Sequence, residues 1–120
     1  MNAHLVKDLD RLKSRVLRVA AAVEENVRKS VRALRELSAP LAEDVVYSDR
    51  KIDEMEVETE EECLKILALH QPVASDLRFV ITVLKINNEL EHIGDMSANI
   101  ARRVPFLLRG GRAPIPFDID

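Results

Sequence analysis

The stretch Phe79–Asp95, FVITVLKINNELEHIGD, decides how this chain folds. Its apolar residues recur every three or four positions, which is the period of one face of an α-helix. Continued to Val104, the same spacing predicts one long helix with a broad apolar face. Glu91 and Asp95 fall on or beside that face. Ionised carboxylates are costly on a packed helix face unless a cation neutralises them, so the stretch predicts a positively charged partner as well as a helix.

The composition of the 120-residue chain favours long amphipathic helices in one domain. Apolar residues make up 47% and charged residues 32%, with only three Gly and no Trp, a mixture that favours helix over sheet. The net charge of −3 gives no general case for nucleic-acid binding. No apolar run approaches the ~20 residues that cross a bilayer, and the charged N-terminus does not resemble a signal peptide. With a single cysteine, which fits a reducing compartment, these features predict a cytoplasmic protein.

Two further helices are predicted before the stretch Phe79–Asp95, because apolar residues recur there at helical spacing. The predicted ranges are 4–37, 41–69, and a third helix that begins at Pro72 or Ser75 and ends near Val104. Ser38 is placed to cap the second helix. Pro105 is expected to follow the end of the third helix, because proline removes a backbone donor and disfavours helix at the preceding residue.

The charges of the first two helices are complementary. The first carries nine Lys or Arg against five Asp or Glu, and the second carries three against ten. Opposite charges favour neighbouring antiparallel helices in a bundle. The fold class predicted is therefore all-α, an antiparallel three-helix bundle over residues 1–105. An irregular tail or linker is predicted over 106–120, where two adjacent glycines and two further prolines occur.

The second helix repeats the acidic pattern of the third. Asp49-Arg-Lys-Ile-Asp53 and Glu91-His-Ile-Gly-Asp95 are both acid-x-x-x-acid motifs on helix edges that lean toward the core. Glu56 lies on the same edge as the first motif. If the two helices pack antiparallel, these carboxylates converge. Oxygen-rich clusters of that kind suit hard or borderline cations such as Mg, Ca, Mn or Fe.

Other interpretations of the acids remain open at this point. Glu91 and Asp95 could form buried ion pairs with an arginine of the first helix, the candidates being Arg11, Arg15 and Arg18. The acids of the second helix could be a solvated flank. Both describe a structural helical interaction module without metal. The Glu89-x-x-His92 pattern of di-iron bundles occurs only once and faces outward, so a di-iron oxidase is rejected.

The run ILALHQPVASDLR over 66–78, followed by Lys85-Ile86 and by LEHIGD over 90–95, resembles the PhoU family of phosphate-signalling regulators. The resemblance covers roughly residues 4–105. It implies a bundle of long helices without catalytic activity, whose acid-x-x-x-Asp motifs bind metal ions, often as multinuclear clusters. By position, the implied ligands of Fe, Mn, Zn or Mg are Asp49, Asp53, Glu91 and Asp95.

The resemblance also implies partners and a location. Family members are associated with the Pst phosphate transporter, so contact with the transporter ATPase and with a sensor histidine kinase is expected, either in the cytoplasm or peripherally at the inner face of the membrane. Typical members contain two three-helix repeats, whereas this chain resembles one, with His92 where the family usually has arginine. A lone repeat would expose one face of its third helix. We therefore expect a homodimer or a higher homo-oligomer.

Overall fold

The computed structural model describes residues 3–110, which form three long α-helices. α1 spans Ala3–Glu36, α2 spans Ala39–His70 and α3 spans Ala74–Leu108. Short turns reverse the chain twice, and each helix packs against the other two, so α2 runs antiparallel to α1 and α3. The predicted all-α three-helix bundle is confirmed. Within the described range, none of the helices combines the length and apolarity needed to cross a membrane.

The turns form where local chemistry stops each helix. The side chain of Ser38 accepts a hydrogen bond from the backbone N–H of Leu41 at 3.3 Å, which confirms the predicted cap of α2. α2 ends at His70, and the next residue, Gln71, has a left-handed φ of 46° and an N–H that donates to the carbonyl of Leu67. Pro72 follows directly and cannot continue the hydrogen-bond ladder.

α3 does not end before Pro105, so that sequence-based expectation is wrong. The proline lies inside the helix, which continues for three more residues. Val104 is fully buried, and Leu107 packs against the same apolar cluster. We attribute the continuation to these contacts on both sides of the proline, which offset the backbone hydrogen bond that proline removes. The predicted tail, 106–120, thus begins with helix, and its residues 111–120 lie outside the described part of the chain.

The core has two apolar ends and a polar middle. The first apolar end contains buried side chains of all three helices, among them Leu12, Val16, Cys63, Ile66, Val80 and Val83. Cys63 is therefore a packing residue. The second apolar end contains Ala33, Leu34, Ala42, Val45, Ala101 and Val104. Between them, together with a few apolar residues, lies a polar layer of buried side chains: Asn26, Ser30, Asp49, Glu56, Thr59, Asn87 and Ser97.

The inward face of α3 differs from the predicted one. The apolar spacing of the stretch Phe79–Asp95 places Ile86 and Ile93 on the packed face, but they are 43% and 41% exposed. Asn87 and Gly94, each one residue further along, are buried instead. Because the apolar arc of α3 covers more than half of its circumference, apolar spacing does not determine which part of the arc packs. Small side chains such as Ser97 allow the three helices to approach closely on the face that is used.

Candidate metal centre

Three aspartates meet between α2 and α3. Asp49 and Asp53 lie one helical turn apart on α2, and Asp95 faces them from α3. One carboxylate oxygen from each residue lies within 4.8 Å of the other two. Asp49 is only 6% exposed, whereas the other two are exposed. The aspartate triad therefore has a buried floor and a rim that is open to solvent.

Gly94 makes room for the floor of the triad. A Cβ atom at this position would lie 3.4 Å from Oδ1 of Asp49, so the absence of a side chain lets the backbone of α3 approach that oxygen closely. Asp49 Oδ1 is buried and has no hydrogen-bond donor within the protein. An unpaired buried acceptor is costly. A bound cation beside this oxygen would remove that cost.

Burial and mutual repulsion raise the pKa of two triad carboxyls. For Asp49, burial is the main cause, and the charges of Asp53 and Asp95 add to it. The pKa of Asp53 is likewise raised by burial and by Asp95. The guanidinium of Arg102 opposes both shifts. Three acids held this close repel one another, and a divalent cation would replace that repulsion with attraction.

Glu56 extends the oxygen-rich region further along α2. It is 3% exposed, and burial followed by the charges of Asp53, Glu91 and Asp49 raises its pKa to about 8. Its Oε2 atom has no donor within the protein. Asn87 donates from Nδ2 to the backbone carbonyl of Glu56 at 2.9 Å and leaves its own Oδ1 unpartnered. The region next to the triad is therefore rich in acceptors and poor in donors.

The structure brings three of the predicted ligands together and leaves Glu91 outside the group. Glu91 lies one turn before Asp95 on α3, where its charge acts on Glu56. Both acids of α3 are exposed and lie beside the packed face, at its edge. The metal-binding role of these residues stays a prediction.

Two buried amides near the site are absent from the sequence-based candidates. Asn87 lies four residues after Val83 and seven before Gly94. This helical spacing places the three residues on one face of α3, and it is the sequence feature from which the burial of Asn87 could have been predicted. Asn26 is 1% exposed and donates from Nδ2 to the carbonyl of Val45 at 3.1 Å. Its Oδ1 is also buried without a donor in the protein.

The alternative of buried ion pairs with α1 is wrong for the part of the chain that is described. Arg15 pairs at 3.8 Å with Glu58 of α2. Among residues 3–110, no ion pair joins Arg11, Arg15 or Arg18 to Glu91 or Asp95. His92 is exposed, as expected.

Known proteins resemble most of the chain. The PhoU domain family model matches residues 16–104. The phosphate-specific transport system accessory protein PhoU homolog of Aquifex aeolicus is 40% identical over 103 residues, which cover 86% of this chain and 47% of that protein. PhoU homolog 1 of Thermotoga maritima is 39% identical over 88% of this chain and 46% of its own length. The Pseudomonas putida homolog is 41% identical over 89% of this chain and 42% of its own length. The chain thus spans about half the length of the curated relatives it matches.

Proposed function

The chain belongs to the PhoU family, and from that premise we propose that it is a metal-binding regulator of phosphate transport and of phosphate-starvation signalling. It acts through protein–protein contacts and not as an enzyme. The relatives support this role because they carry the name of accessory proteins of a phosphate-specific transport system.

The aspartate triad carries the metal-binding part of the proposal. Three carboxylate oxygens within 4.8 Å of one another, one of them from a buried side chain, offer a compact set of hard donors. Such donors fit Mn²⁺, Mg²⁺ or Fe better than Zn²⁺, which more often takes His or Cys ligands. Asp49, Asp53 and Asp95 would hold the ion, and Glu56 and Glu91 would adjust the local charge.

Metal analysis combined with calorimetry tests this site. Protein stripped with a chelator is titrated with Mn²⁺, and the wild type is expected to bind it. Asp49→Asn and Asp95→Asn should each weaken binding at least ~10-fold, because each removes a direct ligand. Glu61→Gln, an exposed acid of α2 outside the triad, is the matched control and should bind as the wild type does. Absence of Mn²⁺ uptake by the wild type would overturn the proposal.

The proposed partners are the ATPase of a phosphate ABC transporter and a sensor histidine kinase, met at the cytoplasmic side of the membrane. A binding assay with the purified ATPase subunit tests this part. We expect the subunit to bind metal-loaded wild type and to bind Asp49→Asn more weakly. Equal binding with and without metal would separate the contact from the metal site and contradict a metal-dependent regulator.

We further propose that a second copy of the chain covers part of α3. An apolar row recurs at seven-residue spacing on this helix and consists of Phe79, Ile86, Ile93, Ile100 and Leu107. Two of its members, Ile86 and Ile93, are more than 40% exposed. Neighbouring exposed apolar side chains of this kind favour an interaction site. Sedimentation should show a dimer or larger species that becomes monomeric in an Ile86→Ser, Ile93→Ser double variant. A monomeric wild type at tens of micromolar would contradict this proposal.

A further inference from the structure

Beyond the aspartate triad, the residues between α2 and α3 change in chemistry. A cavity of about 290 Å³ opens there, and its lining includes two arginines, Arg50 from α2 and Arg102 from α3. The other lining residues are one acid, Glu43, and Tyr47, together with the apolar Ala42, Val46, Ala101 and Pro105. Basic and apolar residues therefore follow the acidic triad along the boundary between these two helices.

Arg50 lies close to the triad because of its position on α2. It follows Asp49 directly and precedes Asp53 by three residues. Residues three apart on a helix are neighbours on its surface. The cavity that Arg50 lines is therefore adjacent to the carboxylates of the same helix.

Arg102 lies close to the triad on the other helix, α3. Asp95, Asn99 and Arg102 are spaced by four and then three residues, so they form one row on α3. Nη1 of Arg102 donates a hydrogen bond to Oδ1 of Asn99 at 3.0 Å, which restrains the guanidinium beside this row. The positive charge of the same guanidinium acts on Asp49 and on Asp53, so it reaches the floor of the triad.

Neither arginine forms an ion pair with a carboxylate of residues 3–110. Other arginines of this acidic chain do so, for example Arg28 with Glu24 at 2.7 Å. A guanidinium presents a fork of N–H donors that matches the oxygens of a phosphate or carboxylate. An anion in contact with both arginines of this cavity would therefore accept hydrogen bonds from α2 and from α3.

We propose that Arg50 and Arg102 bind an oxyanion of the phosphate type beside the metal ion. The inference rests on the proposed metal site, because without a cation the aspartates would repel an anion. Hard cations prefer about six oxygen ligands, and three carboxylates leave positions that oxygens of the anion can fill. The remaining oxygens accept hydrogen bonds from the two guanidinium groups.

Equilibrium dialysis with radiolabelled inorganic phosphate tests the inference. The samples are wild type with and without Mn²⁺, Arg50→Gln, Arg102→Gln, and Arg103→Gln as the matched control. Arg103 is an exposed neighbour on α3 that does not line the cavity. Mn²⁺-loaded wild type and the control are expected to bind phosphate equally. Removing Mn²⁺, Arg50 or Arg102 should weaken phosphate binding tenfold or more.

The Mn²⁺ content of each dialysed sample distinguishes the possible failures. Wild type that holds Mn²⁺ but binds no phosphate would overturn the anion site and leave the metal site intact. Wild type that holds no Mn²⁺ would overturn the metal site and, with it, this inference. Phosphate binding by Arg102→Gln at the wild-type level would assign the anion to the metal alone and overturn the role of the arginines. Acetate that displaces phosphate at equal concentration would overturn the assignment to phosphate-type anions.

Discussion

The first apolar end of the bundle and its polar layer are built from the same three helices, but they differ in whether their polar side-chain atoms have hydrogen-bond partners within the protein. At the apolar end, Leu12 and Ile66 are completely buried, and Nε2 of His70 meets Oδ2 of Asp8 at 2.9 Å. In the polar layer, oxygens of Asp49, Glu56, Asn26 and Asn87 are buried without donors from the protein. The apolar end therefore contributes stability, whereas the polar layer holds acceptors that a cation can satisfy.

Leu12→Ala should produce the largest change in stability and leave the metal site unaffected. Removing a fully buried leucine side chain costs transfer free energy and leaves a cavity, about 3 kcal/mol in total. Urea denaturation of the metal-free protein measures this loss. Leu17→Ala is the control, because Leu17 is 59% exposed and its truncation should change the free energy of unfolding by less than about 0.5 kcal/mol. Equal effects of the two substitutions would contradict the assignment of the core.

Glu56→Gln should raise the free energy of unfolding, whereas Leu12→Ala lowers it, and the size of the increase should depend on pH. Folding raises the pKa of this carboxyl from the ordinary 4.5 to about 8. Between these values the folded state keeps a proton that the unfolded state releases, so the free energy of unfolding of wild type falls as pH rises through this window. Glutamine cannot ionise. In chelator at pH 8, the variant should be more stable than wild type by on the order of 2 kcal/mol.

Denaturation curves recorded from pH 5 to pH 9 test this prediction. The difference between wild type and Glu56→Gln should widen toward high pH, while Glu54→Gln, an exposed neighbour on α2, should run parallel to wild type. A constant difference across the range would show that the carboxyl of Glu56 does not resist ionisation in the folded state.

Gly94→Ala should separate stability from metal binding. Alanine is favoured over glycine in a helix interior by up to about 1 kcal/mol, and the new Cβ would make an ordinary contact at 3.4 Å with Asp49 Oδ1. The metal-free variant should therefore be as stable as wild type or slightly more stable. The methyl group occupies space beside the carboxylate oxygen that an ion would need, so calorimetry should show Mn²⁺ affinity reduced several-fold. Unchanged affinity would mean that this oxygen does not face the ion.

Asp8→Asn should produce the smallest change in stability, and this change should be present only at pH values above the acid range. The hydrogen bond from His70 is the main cause that holds the pKa of Asp8 below its ordinary value of 3.8. The resulting stabilisation is present above 3.8 and is lost as pH falls through the lower, folded-state pKa. The melting temperature of the variant should lie slightly below that of wild type at pH 7 and converge with it in acid. Asp10→Asn, at an exposed position, should match wild type throughout.

The helices could be predicted from the sequence because their signals are local. Apolar spacing, the Ser38 cap and Pro72 place the first two helices to within a few residues of their observed bounds. Pro105 could not be placed correctly in this way. A proline normally indicates a helix end, and only the contacts of Val104 and Leu107 with the other helices show that the helix continues.

The candidate site could be predicted on α2 better than on α3. On α2 the buried apolar residues form a narrow seam through Val45, Ile52 and Cys63, so the inward-leaning positions of Asp49 and Glu56 follow from it. On α3 the broad apolar arc points to Ile86 and Ile93, whereas the face that packs contains small and amide side chains. Which part of such an arc packs depends on the neighbouring helices, and a single helix pattern does not contain that information.

Anomalous X-ray diffraction from crystals grown with Mn²⁺ tests the central claim most directly. We predict an anomalous peak at coordination distance from the carboxylates of Asp49, Asp53 and Asp95, and its loss in crystals of Asp49→Asn. A structure in which these carboxylates bind arginine side chains or water alone, with Mn²⁺ present in the crystal but absent from the triad, would contradict the claim that the polar layer exists to hold a cation.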